Sequence, residues 1–277
     1  MCGMTDDVAL DVNQPSKARI YDYFLGGKDN YPSDRAAAAQ VEKAFPNIRR
    51  AARENRNFMV KATKFLAGER GIRRFLDLGT GIPTAPNLHQ VVHEIQPESR
   101  IVYVDNDPVV LAHAQAFGSL DGTAEGLVDF LNIDLTDIDR LIESEEFRNL
   151  LDEPVAVSCF GILHFFPDPV PYTIVDKIMA AVPSGSYLSI THATPDLNPA
   201  LAEVGEVYRS NKMDAFPRTH AEISHFFRDL ELIEPGVVVS RVWPTPDETP
   251  AGEVGNAKTA AELDAEIAFF CGMARKP

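Results

Sequence analysis

Short apolar runs separated by helix-length segments occupy the middle of the chain. Five runs end in a polar residue or glycine, at 75–78, 101–104, 128–133, 155–160 and 187–191. Runs of this length with little alternation are typical of parallel strands that are buried on both faces. The segments between them carry apolar residues at helical spacing. The pattern therefore predicts a βαβ succession, which folds into a doubly wound sheet.

The chain on either side of these runs has a different pattern. Between residues 47 and 67, apolar residues recur with a helical period, which predicts an amphipathic helix that Gly68 is expected to end. Asn55 is a polar residue on this apolar stripe. Beyond His192, two predicted helices precede apolar segments at 230–233, 237–242 and 267–273, which are expected to supply the last strands. We therefore predict a helical arm over 1–70 and a sheet domain over 71–277.

Composition narrows the possible functions. The 277 residues include 26 basic and 41 acidic residues, a formal net charge of -15. Such a charge repels a phosphate backbone, so no nucleic-acid partner is expected. No apolar run approaches the roughly 18 residues of a membrane helix, and three scattered cysteines indicate neither disulfides nor a zinc site. We expect a cytoplasmic protein with no membrane partner and no metal.

A glycine turn follows the first predicted strand. The residues Asp77, Gly79, Thr80 and Gly81 run from that strand toward a helix. Glycines let the backbone approach a ligand closely, and the free N–H groups of a helix start favour a polar ligand. Because any tight turn between a strand and a helix can carry two glycines, this feature alone is weak evidence for a site.

Acidic residues after the next two strands add to this evidence. Asp105 follows the second strand, where a carboxylate can accept hydrogen bonds from both ribose hydroxyls of a nucleoside. Asp134 follows the third strand, where the adenine edge would lie. Both acids also fit the simpler interpretation of loop residues or helix caps. The three features together indicate a nucleoside-containing ligand.

Dinucleotide dehydrogenases share the glycine turn and the acid after the second strand. In those enzymes a third glycine lets the helix pack beneath a pyrophosphate, and here that position is Thr84. Asp77 also places a negative charge where a pyrophosphate would be held. A carboxylate suits a cationic ligand better, and S-adenosylmethionine carries an ammonium and a sulfonium group.

Several longer sequence segments resemble one known family. The segments are PSKARIYDYFLGGKDNY at 15–31, RENRNF at 53–58, FLDLGTGIPT at 75–84, VYVDNDP at 102–108, ILHF at 162–165, SITHAT at 189–194 and ARKP at 274–277. Together they resemble the actinobacterial S-adenosylmethionine-dependent methyltransferase family once catalogued as a domain of unknown function. The resemblance spans nearly the whole chain. It implies a class I, Rossmann-like α/β fold with a mostly parallel seven-stranded sheet, bound S-adenosylmethionine and methyl transfer to an unassigned methyl acceptor.

The expected cofactor site combines the turn, the acids and the end of the fourth strand. Its residues are Asp77, Gly79, Thr80, Gly81, Asp105, Asn106, Asp134, Leu135, Phe160 and Gly161. The front segment suggests a lid that excludes water, with a hinge at Gly26 and Gly27. Arg19 on this lid is expected to pair with the methionine carboxylate of the cofactor, although a protein carboxylate is an equal alternative.

Two histidines are candidates for the chemistry. His164 follows the fourth strand, near where a class I enzyme presents the methyl group, and His192 lies at the end of the fifth. Either imidazole can take a proton near neutral pH, although both histidines fit a packing role equally well. We predict a methyltransferase of small molecules, and an NAD(P)-dependent oxidoreductase or a non-catalytic nucleoside-binding module remains as an alternative. The oligomeric state is left open.

Overall fold

A single mixed sheet forms the centre of the molecule. The computed structural model describes residues 11–113, 127–243 and 258–277. Within them the strands are β1 Arg74–Leu78, β2 Arg100–Asp105, β3 Val128–Asn132, β4 Val155–Phe160, β5 Tyr187–Ala193, β6 Glu231–Leu232, β7 Val238–Val239 and β8 Phe269–Arg275. The strand order is β3-β2-β1-β4-β5-β8-β6, and β7 also pairs with β8. All five strands predicted for the middle of the chain are present.

The first five strands are parallel, and β8 runs antiparallel to β5. The described residues form eight strands rather than the seven expected. Both β6 and β7 pair with β8, at Ala274–Arg275 and Phe270–Cys271 respectively. They share one edge of β8, because its other edge is taken by β5. The sheet is therefore seven strands wide, because β6 and β7 together occupy the last position. A turn that contains Pro235 and Gly236 connects them.

Three helices precede the sheet: α1 Lys17–Leu25, α2 Pro32–Ala44 and α3 Ile48–Lys64. The third confirms the predicted amphipathic helix. The expectation that Gly68 ends this helix is wrong, because the chain continues in a wider π-helical turn over Phe65–Glu69. The break comes at Gly71, whose φ of 67° is left-handed.

Further α-helices with both ends in the described residues flank the sheet or follow its later strands. They are α4 Leu88–Ile95, α5 Ile138–Glu143, α6 Glu145–Arg148, α7 Val170–Ala181, α8 Ala200–Ser210, α9 His220–Ser224 and α10 Ala260–Ile267. None of the helices in the described parts of the chain combines the length and apolar character needed to cross a membrane.

The helical arm shares its core with the sheet domain. Ile20 and Phe24 of α1 are almost completely buried in a cluster that includes Tyr208 of α8 and Phe269 of β8. Burying a large apolar side chain stabilises the folded state by about 1.5 to 3 kcal/mol. The arm is thus packed as part of the fold, and its division from the sheet domain stays a prediction.

Candidate functional site

A cavity of about 470 Å³ opens along the carboxyl ends of the parallel strands. Its wall runs from Asp105 at the end of β2, through the turn after β1 and Phe160 of β4, to Ala193 of β5 and Phe269 of β8. Neighbouring strands lie ~4.8 Å apart, so the four steps from β2 to β8 span about 19 Å. Parallel α/β sheets bind ligands at this edge. The cavity is within the size range of small-molecule sites.

The glycine turn after β1 lies on the cavity wall. Gly79 has a φ of 71°, and a Cβ there would lie 2.4 Å from the side chain of Ile162. Gly81 has a φ of 69°, and a Cβ there would meet no atom within 4 Å. Gly79 is therefore required by both backbone conformation and packing. At Gly81 the backbone faces open space, which is what close approach to a ligand needs.

Asp105 joins this turn to the end of β2. Its Oδ2 accepts a hydrogen bond of 2.8 Å from the backbone N–H of Gly81, and its Oδ1 accepts one of 2.9 Å from Asp107. Burial raises the pKa of Asp105, although these hydrogen bonds oppose the shift. Each carboxylate oxygen has further lone pairs and Asp105 lines the cavity, so it can still accept hydrogen bonds from a ligand.

Asp77 is the acidic group at the end of β1. Burial raises its pKa to about 7, while the Arg56 guanidinium opposes this shift and Asp105 adds to it. The guanidinium of Arg56 donates to the backbone carbonyl oxygens of Thr84 and Pro86, which fixes it beside the turn. A cationic ligand stabilises the charged form of a buried carboxylate whose pKa is near 7, so such a carboxylate favours binding of a cation.

Residues of the arm close the other side of the cavity. The Ser16 hydroxyl donates to the Asp107 carboxylate, which links the arm to the loop after β2. Asn55 of α3 donates to the Tyr21 hydroxyl at 2.7 Å and accepts from the Thr191 hydroxyl at 2.5 Å. This chain of hydrogen bonds ties α1 and α3 to β5. Asn55 also lies beside Gly161, where a Cβ would be 3.2 Å from its amide nitrogen.

Arg19 does not reach the cavity. Its guanidinium is buried and pairs with the Asp34 carboxylate at 3.1 Å, and it also donates to the carbonyl oxygen of Gln14. Of the two alternatives for Arg19, the structure therefore shows the protein carboxylate. Lys17 lines the cavity instead, with its ammonium 4.7 Å from the centre of the Phe165 ring. Burial lowers the pKa of Lys17, and Asp214 and Asp134 oppose that shift.

Asp134 and Leu135 also lie outside the cavity wall. Asp134 caps a short 3-10 helix by accepting from the backbone N–H of Thr136 at 2.8 Å, and its other oxygen accepts from the Asn106 amide at 2.8 Å. Leu135 is buried in the main core. Asp134 therefore acts here as the helix cap that the sequence left open, and it is connected to the cavity through Asn106.

The two candidate histidines have different environments. His192 is fully buried outside the cavity, its Nε2 lies 3.1 Å from an Arg218 guanidinium nitrogen and its Nδ1 lies 2.8 Å from the carbonyl oxygen of Ala193. Because arginine can only donate, Nε2 is the acceptor and Nδ1 carries the proton. Burial lowers the pKa of His192 to about 3, and Arg218 adds to this effect. Both nitrogens are occupied, so we do not retain His192 as a catalytic residue.

His164 lines the cavity. Its Nδ1 is enclosed and has no hydrogen-bond partner among the described residues. Burial holds its pKa well below the usual range, and His192, Arg218 and Lys17 add to this shift. The ring is therefore neutral at pH 7, which makes it a hydrogen-bonding group rather than a strong base.

The structure thus brings most of the predicted residues together. Those on the cavity wall are Asp77, Gly79, Thr80, Gly81, Asp105, Asn106, Phe160, Gly161 and His164. Sequence reasoning did not assign Lys17, Asn55 or Tyr208 to the site. The signal for Asn55 was present, since it is a polar residue on an apolar helix face. Lys17 and Tyr208 gave no such signal, because charged and aromatic residues are ordinary on helices.

A sheet of this order, with its antiparallel last strand and a cavity over the glycine turn and Asp105, defines a Rossmann-like, class I methyltransferase fold. The fold is shared with an O-methyltransferase family protein of Burkholderia thailandensis, at a TM-score of 0.52 and 16% identity over 95% of this chain and 64% of that one. The chain belongs to the S-adenosyl methyltransferase family, whose family model matches residues 4–277.

Two solved structures are similar over nearly their full lengths. A DUF574 family protein from Streptomyces avermitilis is 39% identical, with a TM-score of 0.87 over 96% of this chain and 99% of that one. A candidate methyltransferase from Thermobifida fusca is 36% identical, with a TM-score of 0.85 and 96% of each chain covered. No curated protein sequence matches the chain significantly.

These comparisons confirm the resemblance read from the sequence. The protein is an S-adenosylmethionine-dependent methyltransferase, and its cofactor is S-adenosylmethionine. The oxidoreductase alternative and the non-catalytic alternative are both set aside by family membership. The methyl acceptor is not identified by any of these relatives.

Proposed function

We propose that this methyltransferase acts on a small molecule that binds at the β5–β8 end of the cavity. The observation that carries the proposal is the length of the cavity. Its polar groups Asp77, Asp105 and Asn106 lie at the β1–β2 end, and an apolar wall continues past β4 as far as Phe269. One continuous cavity thus offers a polar end for a nucleoside and an apolar end for a second, small ligand.

The residues at the β1–β2 end fit the cofactor. The open space beside Gly81 admits a ligand against the backbone, and Asp105 is placed to accept the ribose hydroxyls. Asp77 is the acid we assign to the ammonium group of the cofactor, since a cation would offset its costly burial. Thr80, Asn106, Phe160 and Gly161 complete this end of the wall. The role of Asp134 at the adenine edge and the role of Leu135 in cofactor binding stay predictions from the sequence.

The arm excludes water from the reaction. When bound, S-adenosylmethionine supplies an electrophilic methyl group on a positively charged sulfur. Tyr21 and Phe24 of α1 line the cavity on its arm side, and Ser16 connects the arm to the loop after β2. We assign Lys17 the role that the sequence gave to Arg19, as the cation of the arm that faces the methionine carboxylate of the cofactor. Closure of this kind protects a reactive group and strengthens electrostatic interactions in the site.

His164 is the group we assign to contact with the methyl acceptor. It lies on the cavity wall between Phe165 and Phe269, with ring centroids 4.4 and 5.9 Å from theirs. Its neutral ring orients the methyl acceptor by hydrogen bonding. Holding two reactants in register accounts for a large part of the rate enhancement in such transfers.

A labelling experiment tests the proposal. The protein is incubated with S-adenosylmethionine carrying a radioactive methyl group and with two fractions of a bacterial extract, one of small molecules and one of macromolecules. We expect label only in products from the first fraction, since the net charge of -15 disfavours nucleic acid and the cavity has the volume of a small-molecule site. Transfer to protein or nucleic acid instead would refute a small-molecule acceptor. A cytoplasmic location stays a prediction from the sequence.

A further inference from the structure

The β5–β8 end of the cavity has an apolar wall. We call this end of the cavity the acceptor chamber. It is lined by Phe24, Leu201, Val204, Tyr208, Met213 and Phe269. All six side chains are buried and belong to one hydrophobic cluster. Three of them are aromatic, and Phe165 lies beside them, with its ring centre 5.5 Å from that of Tyr208. Aromatic walls favour flat aromatic ligands through stacking and edge-to-face contacts.

The acceptor chamber carries no formal charge on its wall. Among the described residues that line the cavity, the carboxylates Asp77, Asp105 and Asp107 lie at the β1–β2 end. Of the lysine and arginine side chains on the described cavity wall, Arg56 lies beside the turn after β1, and the Lys17 ammonium sits over the Phe165 ring and donates to a backbone carbonyl oxygen. Burying an ionised ligand without a partner costs hydration free energy on the order of several kcal/mol. A neutral methyl acceptor fits this chamber better than an anion or a cation.

The part of this wall that the described residues form also offers no strong base. Methylation of a hydroxyl requires loss of its proton, and the titratable groups at this end are His164, Tyr21, Tyr208 and Lys17. A protonated His164 would stand next to His192, whose Nε2 already lies 3.1 Å from the Arg218 guanidinium, so a second positive charge is opposed. Both tyrosines are buried and keep their protons. The Lys17 nitrogen is directed at the Phe165 ring and donates to the backbone carbonyl oxygen of Phe165, so it is engaged away from a ligand hydroxyl in the chamber.

We infer that the methyl acceptor is a neutral, planar aromatic compound that attacks through an unprotonated ring nitrogen. This inference rests on the proposed function. The nitrogen lone pair forms the bond to the methyl carbon, and the carbon–sulfur bond breaks with its electron pair kept by sulfur. The positive charge passes from sulfur to nitrogen, and no proton moves. The step therefore needs positioning and an apolar, aromatic surrounding, which the acceptor chamber provides, and no base.

Four bicyclic probes of similar shape test this inference: isoquinoline, naphthalene, 2-naphthol and 2-naphthoate. Their binding is measured by calorimetry on protein saturated with S-adenosylhomocysteine, the demethylated cofactor. We expect isoquinoline to bind at least about tenfold more tightly than 2-naphthoate. Tighter binding of the anion would overturn the neutral acceptor. If the cofactor product binds and none of the probes does, the acceptor chamber is wrong while the cofactor assignment stands; if the cofactor product fails to bind, the proposed function itself fails.

Turnover separates nitrogen from oxygen nucleophiles. With S-adenosylmethionine present, we expect N-methylisoquinolinium to form at least about tenfold faster than 2-methoxynaphthalene, because only the second product requires proton removal. Faster methylation of 2-naphthol would show that the site contains a working base and would overturn the inference.

A pair of variants on α8 tests whether the probes bind in the acceptor chamber. Val204→Asp places a carboxylate in the chamber, whereas Ala202→Asp places one on the exposed face of the same helix. We expect Val204→Asp to weaken isoquinoline binding by at least about tenfold and to leave binding of S-adenosylhomocysteine within about twofold. Ala202→Asp should change neither. Equal loss of both ligands in Val204→Asp, or unchanged probe binding, would contradict the separate chamber.

Discussion

The carboxylate of Asp105 accepts a hydrogen bond of 2.8 Å from the backbone N–H of Gly81. The acid after β2 and the glycine turn after β1 are thereby held together across two neighbouring strands. Asp105 has two tasks in consequence: it shapes the turn, and it lines the cavity where the ribose is proposed to bind.

Replacement of Asp105 should therefore affect both binding and stability. For Asp105→Ala we expect a loss of S-adenosylmethionine affinity on the order of 100-fold or more, because two charge-assisted hydrogen bonds to ribose disappear. The free energy of unfolding should also fall by about 1 to 3 kcal/mol, since the N–H groups of Gly81 and Asp107 lose their partner. Asp105→Asn keeps one acceptor and should be milder.

Titration calorimetry and melting curves measure the two effects separately. Asp139→Asn is a matched control, because Asp139 is an exposed acid that pairs with Lys177 away from the cavity. A variant Asp105→Ala that melts early but binds S-adenosylmethionine normally would rule out the ribose assignment.

Ligand-induced stabilisation is the simplest test of the cofactor. At 100 times its Kd, S-adenosylmethionine should raise the free energy of unfolding by about 2.7 kcal/mol, which corresponds to roughly 5 to 10 °C in Tm for a chain of this size. NADH should give no comparable shift, because Thr84 and Asp77 are unsuited to a pyrophosphate. Differential scanning calorimetry with each ligand makes the comparison, and a larger shift with NADH would contradict the cofactor.

The pH dependence of cofactor binding should report on Asp77. Burial raises its pKa to about 7, so the folded protein without ligand carries a largely protonated Asp77 at pH 6 and an ionised one at pH 8. The ionised form attracts the cofactor ammonium, so S-adenosylmethionine affinity should rise between about pH 6 and pH 8, with proton release on binding near pH 7. Asp77→Asn should weaken binding at pH 8 and flatten this dependence.

The same carboxyl group has the opposite effect on stability without ligand. Its folded-state pKa is raised above the unfolded value, so the folded state binds more protons between about pH 4 and pH 7. Its contribution to the free energy of unfolding therefore falls as pH rises through this window. Chemical denaturation of Asp77→Asn should lack this decline, and an identical pH profile in both proteins would refute the assigned shift.

Two variants of the arm distinguish its role in closing the cavity from its role in the hydrophobic core. Ser16→Ala removes the contact to Asp107 and should speed cofactor dissociation with a change in unfolding free energy of about 1 kcal/mol or less. Phe24→Ala empties a buried position in α1 and should destabilise the fold by about 3 to 5 kcal/mol. Stopped-flow dissociation and melting curves test both, and a dissociation rate unchanged in Ser16→Ala would contradict the closing role of the arm.

His164 and His192 should respond differently to the same substitution. For His164→Phe we expect S-adenosylmethionine affinity within about twofold of the wild type but lower turnover, because only contact with the methyl acceptor is lost. His192→Phe removes one acceptor of the buried Arg218 Nη1, which keeps the carbonyl oxygens of Leu163 and Phe216, so the unfolding free energy should fall by about 0.5 to 1.5 kcal/mol. Loss of turnover in His192→Phe at an unchanged melting temperature would restore His192 as a catalytic candidate.

The amino-acid sequence by itself determined the sheet and the polar end of the cavity. Buried parallel strands are encoded by local apolar runs, and the turn with Gly79 and Gly81 needs residues that tolerate a positive φ. Asp105 followed from its position, because the carboxyl ends of neighbouring parallel strands meet at one edge of the sheet.

Only the tertiary structure decided which side chains face the cavity. Lys17 and Arg19 are two positions apart on α1, so their side chains point about 200° apart around the helix axis. In the folded protein Lys17 lines the cavity, whereas Arg19 forms an ion pair with Asp34. His164 follows β4, and His192 lies near the end of β5, so both are close to the same edge of the sheet. Arg218, more than 20 residues beyond His192, donates to the Nε2 of His192. Local sequence carries the period of an element, whereas the partner of a polar side chain depends on residues that are distant in the chain and adjacent only after folding.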